Sequence, residues 1–186
     1  MELWIILGLI VLVGLVVTLI YNRLVALRQT THQAWGDIDV QLKQRHDLVP
    51  NLVSTVKGYA DHEKETLETV TKARQQAVDA DSLKDLAQAE NMLTGALRQL
   101  FAVAEAYPDL KADKNFLSLQ NELADLENKI AAARRFFNNA VAEYNTAIEQ
   151  FPAVVLANSF GFQAREFFEV AASERSRVEA APSVKF

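Results

Sequence analysis

The chain has no cysteine in 186 residues. That excludes a disulfide scaffold, a thiolate metal site and a cysteine nucleophile. Glycine and proline are scarce, with 6 and 4 copies. Together they make about 5% of the chain, against an average near 12%. A sheet protein needs more turn residues than this, so long helices with few connections are expected. Net positive charge is also missing. The formal charge is -5 and the pI about 5.3, which argues against a general nucleic-acid binder. The Gly-rich phosphate loop, the GxSxG elbow and the dinucleotide fingerprint are all absent from the sequence.

Charge is missing again, locally, from Leu3 to Ile20, where 15 of 18 residues are hydrophobic. At 1.5 Å per residue that stretch is about 27 Å long, close to the roughly 30 Å hydrocarbon core of a bilayer. Trp4 and Tyr21 lie at its two ends, where amphipathic rings favour the membrane interface. A cleaved signal peptide is the main competitor. It wants a basic residue before the stretch and a small-x-small cleavage site after it. Thr18-Leu19-Ile20-Tyr21-Asn22 offers no such site and no Lys or Arg comes first, so a retained anchor is favoured. Arg23 and Arg28 come directly after the stretch, and the positive-inside rule places the C-terminal domain in the cytoplasm.

Beyond the anchor, apolar residues recur at three- and four-residue spacing. The longest run is Phe116, Leu119, Leu123, Leu126, Ile130, Ala133, Phe137, Ala140, Tyr144, Ala147 and Phe151. Val141 and Ile148 widen this stripe, which suits a bundle better than a two-stranded coil. Asn115 is the expected N-cap and Pro152 the stop. A second helix is expected over residues 82–107, opened by Ser82 with Asp85 and closed by Pro108. Its seam carries Leu93, Leu97 and Leu100, with Glu90 where an apolar residue belongs. The short connection Asp109–Lys114 makes this helix and the next antiparallel neighbours. The first half reads as one long helix. Trp35, Ile38, Leu42, Val49, Leu52 and Val56 hold one phase, and Leu67, Val70 and Ala77 follow after a small shift. Arg45, Tyr59 and Glu63 sit on seam positions. Pro50 frees the carbonyl of His46, predicting a kink or, alternatively, a full break; Gly58 is a second weak point. After Pro152 the pattern is irregular. Asn158–Phe162 reads as a turn, Gln163–Val178 has the pattern of a short helix, and Ala180–Phe186 that of a frayed tail.

The fold class is therefore all-α: an N-terminal transmembrane helix, then a long antiparallel bundle of three long helices, the first kinked. The expected organisation is an anchor over 1–21, a helical bundle over 22–151 and an irregular segment with a short helix over 152–186. No catalytic, cofactor or metal residue is assigned. The spacings of His32, His46 and His62 are not those of a helical metal pair. His62-Glu63 lacks the second histidine of HExxH, and Asp37-Ile38-Asp39 lacks the later ligands of a calcium loop. One polar cluster stands out: Lys43, Arg45, His46, Asp47, Pro50 and Asn51. Helix 115–151 carries a second polar set in Glu127, Arg134, Arg135, Asn138, Asn139 and Asn145. The two sets either satisfy one another in a packed bundle or form a ligand or partner site.

Several segments are specific enough to suggest a family. They are Tyr21-Asn22-Arg23-Leu24-Val25, Ala34-Trp35-Gly36-Asp37-Ile38-Asp39-Val40-Gln41-Leu42-Lys43, Arg45-His46-Asp47-Leu48-Val49-Pro50-Asn51-Leu52-Val53 and Val56-Lys57-Gly58-Tyr59-Ala60. Tyr107-Pro108, Asn115-Phe116, Glu122-Leu123, Ala133-Arg134 and Tyr144-Asn145 continue the pattern. Over about residues 1–170 the chain closely resembles the LemA family. Phe136-Phe137-Asn138 departs from the Tyr-Asn pair expected there. The resemblance implies a bacterial inner-membrane protein with an antiparallel helical bundle, non-enzymatic and tied to membrane organisation. Some relatives are associated with specialised internal membranes, and others sit beside membrane proteases. No catalytic residues carry over. The leading reading is a self-associating scaffold with the lipid bilayer and copies of itself as partners, and no nucleic acid. The second is an adaptor for a membrane protease or signalling complex. A hydrolase built on His46 is a distant third.

The orientation is directly testable. A reporter fused after Phe186 is expected to behave as cytoplasmic. Active alkaline phosphatase at that position, or proteolysis of the helical part in intact spheroplasts, reverses the assignment.

Overall fold

The structure is a computed structural model that describes residues 1–168. It is all-helical, with no strand among the described residues. The elements are α1 (Glu2–Lys57), α2 (Lys64–Val78), α3 (Leu83–Ala104), α4 (Pro108–Ala112), α5 (Lys114–Glu149) and α6 (Ala153–Ser159). The chain divides into two compact units. One holds residues 1–39 and 132–167, the other 40–131 with Phe168, so α1 and α5 each run through both.

In the first unit, the apolar stretch begins α1, and all its residues but Val17 and Ile20 are exposed. Directly after it, Leu24 is buried in a cluster with Tyr144, Ala147, Ile148, Ala157 and Phe162. Trp35 and Phe137 meet edge to face at 5.7 Å, a geometry that puts a ring's positive edge on its partner's negative face. After α6 the chain turns at Gly161, whose φ of 70° is costly for residues with a Cβ. The Phe162 amide there donates to the Ala157 carbonyl at 2.9 Å, satisfying one of the helix's orphan acceptors.

In the second unit, Val49, Leu52 and Val56 of α1 pack with Leu67 and Val70 of α2, Leu93, Leu97 and Leu100 of α3, and Phe116 and Leu123 of α5. These are the seam residues that the 3–4 spacing selects. Ser82 caps α3 as expected, accepting from the Asp85 amide at 3.0 Å.

Four details differ from the sequence reading. The long first-half pattern is two helices, because α1 ends at Lys57 and the break falls at Gly58. Glycine adds the most backbone entropy to the unfolded chain, so a helix ends there at least cost. The connection after Pro108 is itself helical, with proline at the first position of α4, where its missing amide costs nothing. The cap of α5 is Asp113, not Asn115: its carboxylate accepts from the Phe116 amide at 2.9 Å. That bond, joined by one from the Tyr59 hydroxyl at 3.1 Å, holds the Asp113 carboxyl below its ordinary range. A lowered folded-state value means the cap's contribution is present above the unfolded carboxyl's value and lost as pH falls through the folded one. Finally, the short helix lies earlier than expected: α6 takes in Asn158 and Ser159, so the turn narrows to Phe160–Gly161, and residues 163–168 are not helical. The rest of the short helix expected over 163–178, and the tail at 180–186, lie outside the described residues.

Removing the α3 cap with Ser82→Ala is expected to lower stability by about 1 kcal/mol. Denaturant midpoints at matched slope check this, with Ser82→Asp expected to restore most of the loss.

Candidate functional site

The polar cluster on α1 resolves into two populations. Lys43, Asp47 and Asn51 are exposed, whereas Arg45 and His46 turn inward. Arg45 retains 1% of its surface and Glu90 of α3 none. Isolated, either charge would be untenable, because the desolvation cost of a buried ion is several kcal/mol. They meet each other: Arg45 Nη2 forms an ion pair with Glu90 Oε2. Arg45 Nη1 donates to Glu127 Oε2 of α5 at 2.6 Å and to Thr94 Oγ1 of α3 at 3.0 Å. The other Glu90 oxygen, Oε1, lies 2.6 Å from His46 Nε2. A carboxylate only accepts, so that nitrogen carries a proton. One guanidinium thus joins α1, α3 and α5 through charge-assisted bonds, which are about twice as strong as neutral ones.

Pro50 belongs to the same place. It has no amide to give the His46 carbonyl four residues back. Arg74 of α2 supplies the missing donor, its Nε lying 2.7 Å from that oxygen. The helix therefore continues through Pro50 without a full break, and a fourth element is tied to the cluster.

The remaining seam misfits are paired in the same manner. Glu63, just before α2, accepts from the Tyr107 hydroxyl at 2.9 Å. Tyr59 donates to the Asp113 cap. Both phenols titrate above their ordinary value, chiefly because each donates to a carboxylate.

Of the polar set expected on helix 115–151, Glu127 joins Arg45. Arg135 and Asn139 are exposed, and Arg134 and Asn138 half-buried. Asn145 does something else. Its side-chain amide clamps the backbone of Arg165, donating to the carbonyl and accepting from the amide, each at 2.9 Å. The Arg165 side chain donates to His32 Nε2 at 2.6 Å. Desolvation, then the charges of Arg165 and Arg28, lower the His32 value, which keeps Nε2 free to accept.

Sequence reasoning flagged Arg45 and Glu90 separately as seam misfits without joining them. The available signal was two charges of opposite sign, each interrupting an apolar seam. Thr94 and Arg74 were missed, and only Arg74 had a cue, in the carbonyl that Pro50 frees. Chemically the cluster is closed upon itself. Glu90 spends both oxygens on Arg45 and His46. Among the described residues, no three of His, Asp and Glu converge as a metal-binding group.

These features define a class: a helical bundle whose buried ions clasp its helices together, begun by a helix long and apolar enough to cross a membrane. Residues 34–186 match the model of the LemA family, and the chain belongs to that family. It is 28% identical over 185 residues to magnetosome protein MamQ of Magnetospirillum gryphiswaldense, an alignment covering 84% of this chain and 68% of that one. Magnetosome protein MamQ 2 of Paramagnetospirillum magneticum is 25% identical over 175 residues, covering 80% and 64%. Protein LemA of Metamycoplasma hominis is 28% identical over 162 residues, covering 85% and 73%. The chain thus spans about two thirds of the length of the MamQ relatives.

The clasp predicts an asymmetry between single and double substitutions. Arg45→Met or Glu90→Gln alone strands a buried partner and is expected to cost about 3–5 kcal/mol. Arg45→Met combined with Glu90→Leu removes both charges and is expected to recover most of that loss. Thermal or chemical denaturation of the three variants checks it. A double variant as damaged as the sum of the singles would show that Arg45 and Glu90 do not couple, and would overturn the clasp.

Proposed function

We propose that this chain is a single-pass membrane protein whose cytoplasmic helical part self-associates and acts as a non-enzymatic scaffold in membrane organisation or remodelling. The observation that carries this reading is α1 itself. Its uncharged stretch Leu3–Ile20 is exposed at all but Val17 and Ile20, as a lipid-solvated helix must be, and the same unbroken helix runs on into the packed core. No flexible joint separates the stretch from Leu24. Weak lateral contacts gain strength in such an arrangement, because a bilayer aligns the anchored copies and raises their effective concentration. Membership of the LemA family and the likeness to proteins named as magnetosome proteins support a role at a membrane. Against a hydrolase stands the clasp, in which Glu90 is spent on Arg45 and His46.

The contact between copies is expected on exposed apolar side chains. Of Phe160, Phe162, Phe167 and Phe168, Phe162 and Phe168 are buried within the chain, while Phe160 and Phe167 are half exposed. Phe136 on α5 is exposed as well. Exposed aromatics of this kind favour a contact surface.

The adaptor reading has one observation in its favour. A groove of about 700 Å³ in the second unit has Val53 and Leu67 on its lining, with Lys57, Asp61, Lys64 and Glu68 around them. An apolar lining with charges of both signs suits a protein segment.

Particle mass in gentle detergent, followed over a concentration series, separates the two. Full-length protein is expected to form a defined multimer. Phe136→Ser with Phe167→Ser, both at exposed positions, is expected to reduce the particle mass with helicity unchanged. A wild-type protein that is monomeric at every concentration removes the scaffold reading, and the adaptor takes its place.

A further inference from the structure

The segment after α5, with all of α6, shares a property with the membrane stretch. From Gln150 to Ala164, fifteen consecutive residues carry no charge. That is an unusual composition for a surface element. Phe151 is 85% exposed, Val155 59% and Phe160 52%. Three large apolar side chains on so short a segment leave much of their surface uncovered, and their position along α1 says what covers it. The ring of Tyr21, the first residue after the apolar stretch, lies edge to face with Phe160 at 5.1 Å and with Phe162 at 5.7 Å. Ile20, the last residue of that stretch, packs against the cluster that contains Ala157 and Phe162. The segment after α5 therefore stands level with the end of the stretch, the depth that aromatic residues favour at a membrane boundary.

Charge agrees with this placement. Arg28 lies over the Phe162 ring at 5.0 Å from its centroid. Arg165 ends the uncharged run and is held by Asn145 and His32. Arg23, exposed, comes two residues after Tyr21. The Arg28 guanidinium thus neighbours an uncharged aromatic tip. Cations beside buried apolar side chains are the pattern by which interfacial segments bind anionic lipid surfaces.

We infer that the segment Phe151–Phe160 is a second membrane contact. It is a foot that embeds Phe151, Val155 and Phe160 in the interfacial layer of the bilayer spanned by α1. The inference rests on the proposed membrane anchoring and extends it from one point of attachment to two. Attachment at two points fixes rotation of α1 about its own axis as well as its depth. The faces carried by the helical part are thereby presented in a set direction along the membrane plane.

The cysteine-free chain allows a direct test. Single cysteines are placed at Phe151, Val155 and Phe160, with Leu12→Cys as a reference inside the stretch. Asp37→Cys is the aqueous reference, about 25 Å beyond Ile20 along α1. Each full-length variant carries a nitroxide and is reconstituted in vesicles of phosphatidylethanolamine and phosphatidylglycerol. Accessibility to oxygen and to a water-soluble nickel complex is then compared. The three foot labels are expected to be severalfold more shielded from nickel than position 37 and to remain open to oxygen. Their depth should be about 5–10 Å below the headgroups, the range of interfacial segments. Position 12 should read deeper. Three independent positions, each checked for unchanged helicity, guard against one label disturbing the fold. Nickel accessibility at 155 and 160 equal to that at 37, with position 12 in hydrocarbon, overturns the foot and leaves the anchor standing. Shielding of 155 and 160 from both relaxants overturns it in favour of burial against a second copy. An aqueous signal at position 12 removes the anchoring reading and the foot with it.

Discussion

A guanidinium removed from water needs carboxylates within reach, and this requirement organises the second unit. Arg45 presents its planar fork to Glu90 and Glu127, which belong to two different helices. Sliding α3 by one turn would move the Glu90 carboxylate by about 5.4 Å and break the buried pair, while the same slip of α5 would take away the second carboxylate, Glu127. Apolar seams alone tolerate such slips, because one leucine packs much like another one turn away. The ion cluster makes the alternative registers costly. His46 completes it on the remaining oxygen of Glu90, so the buried carboxylate is met on both sides.

The backbone obeys the same rule of satisfaction. Pro50 would orphan a carbonyl, and Arg74 reaches across from α2 to take it. Asp113 meets the amide that opens α5. The Asn145 side chain does for Arg165 what a neighbouring strand would do, matching one donor and one acceptor. In each case a polar side chain from one element repairs the end or interruption of another. That is how 168 described residues with few turn formers fold without stranding their hydrogen-bonding groups.

On the proposed reading, function in this architecture lies in placement. Within the first unit, the exposed apolar beginning of α1 leads without a joint into the cluster around Leu24. The charge-free segment after α5 returns to the level of Tyr21. A membrane reading of the first feature gives the second a use. The closed ion cluster has no such outward role: its groups face one another, and the exposed Lys43, Asp47 and Asn51 stand apart from it.

The sequence by itself determined the long helical patterns and their apolar faces. Periodicity at 3.6 residues is a local property, so the buried residues of α3 and α5 were legible from Leu93 to Leu100 and from Phe116 to Ala147. The Ser82 cap was legible too, because cap and amide are three residues apart. Uninterrupted lack of charge marked the membrane candidate in α1. The Gly58 break was visible only as a weak point. Its depth depends on whether α2 gains more by packing separately than by continuing α1, which is a tertiary balance. Asp113 outcompeted Asn115 as the α5 cap because the chain geometry after α4 and the Tyr59 hydroxyl, 54 residues away in sequence, both favour it. Arg45 and Glu90 are 45 residues apart, and Arg74 and the His46 carbonyl 28. Spacing marked Arg45 and Glu90 as exceptions on their seams, but pairing is set by which helix faces which. Only the tertiary structure decided that, since the free energy of a buried charge depends on what surrounds it in space and not on its neighbours along the chain.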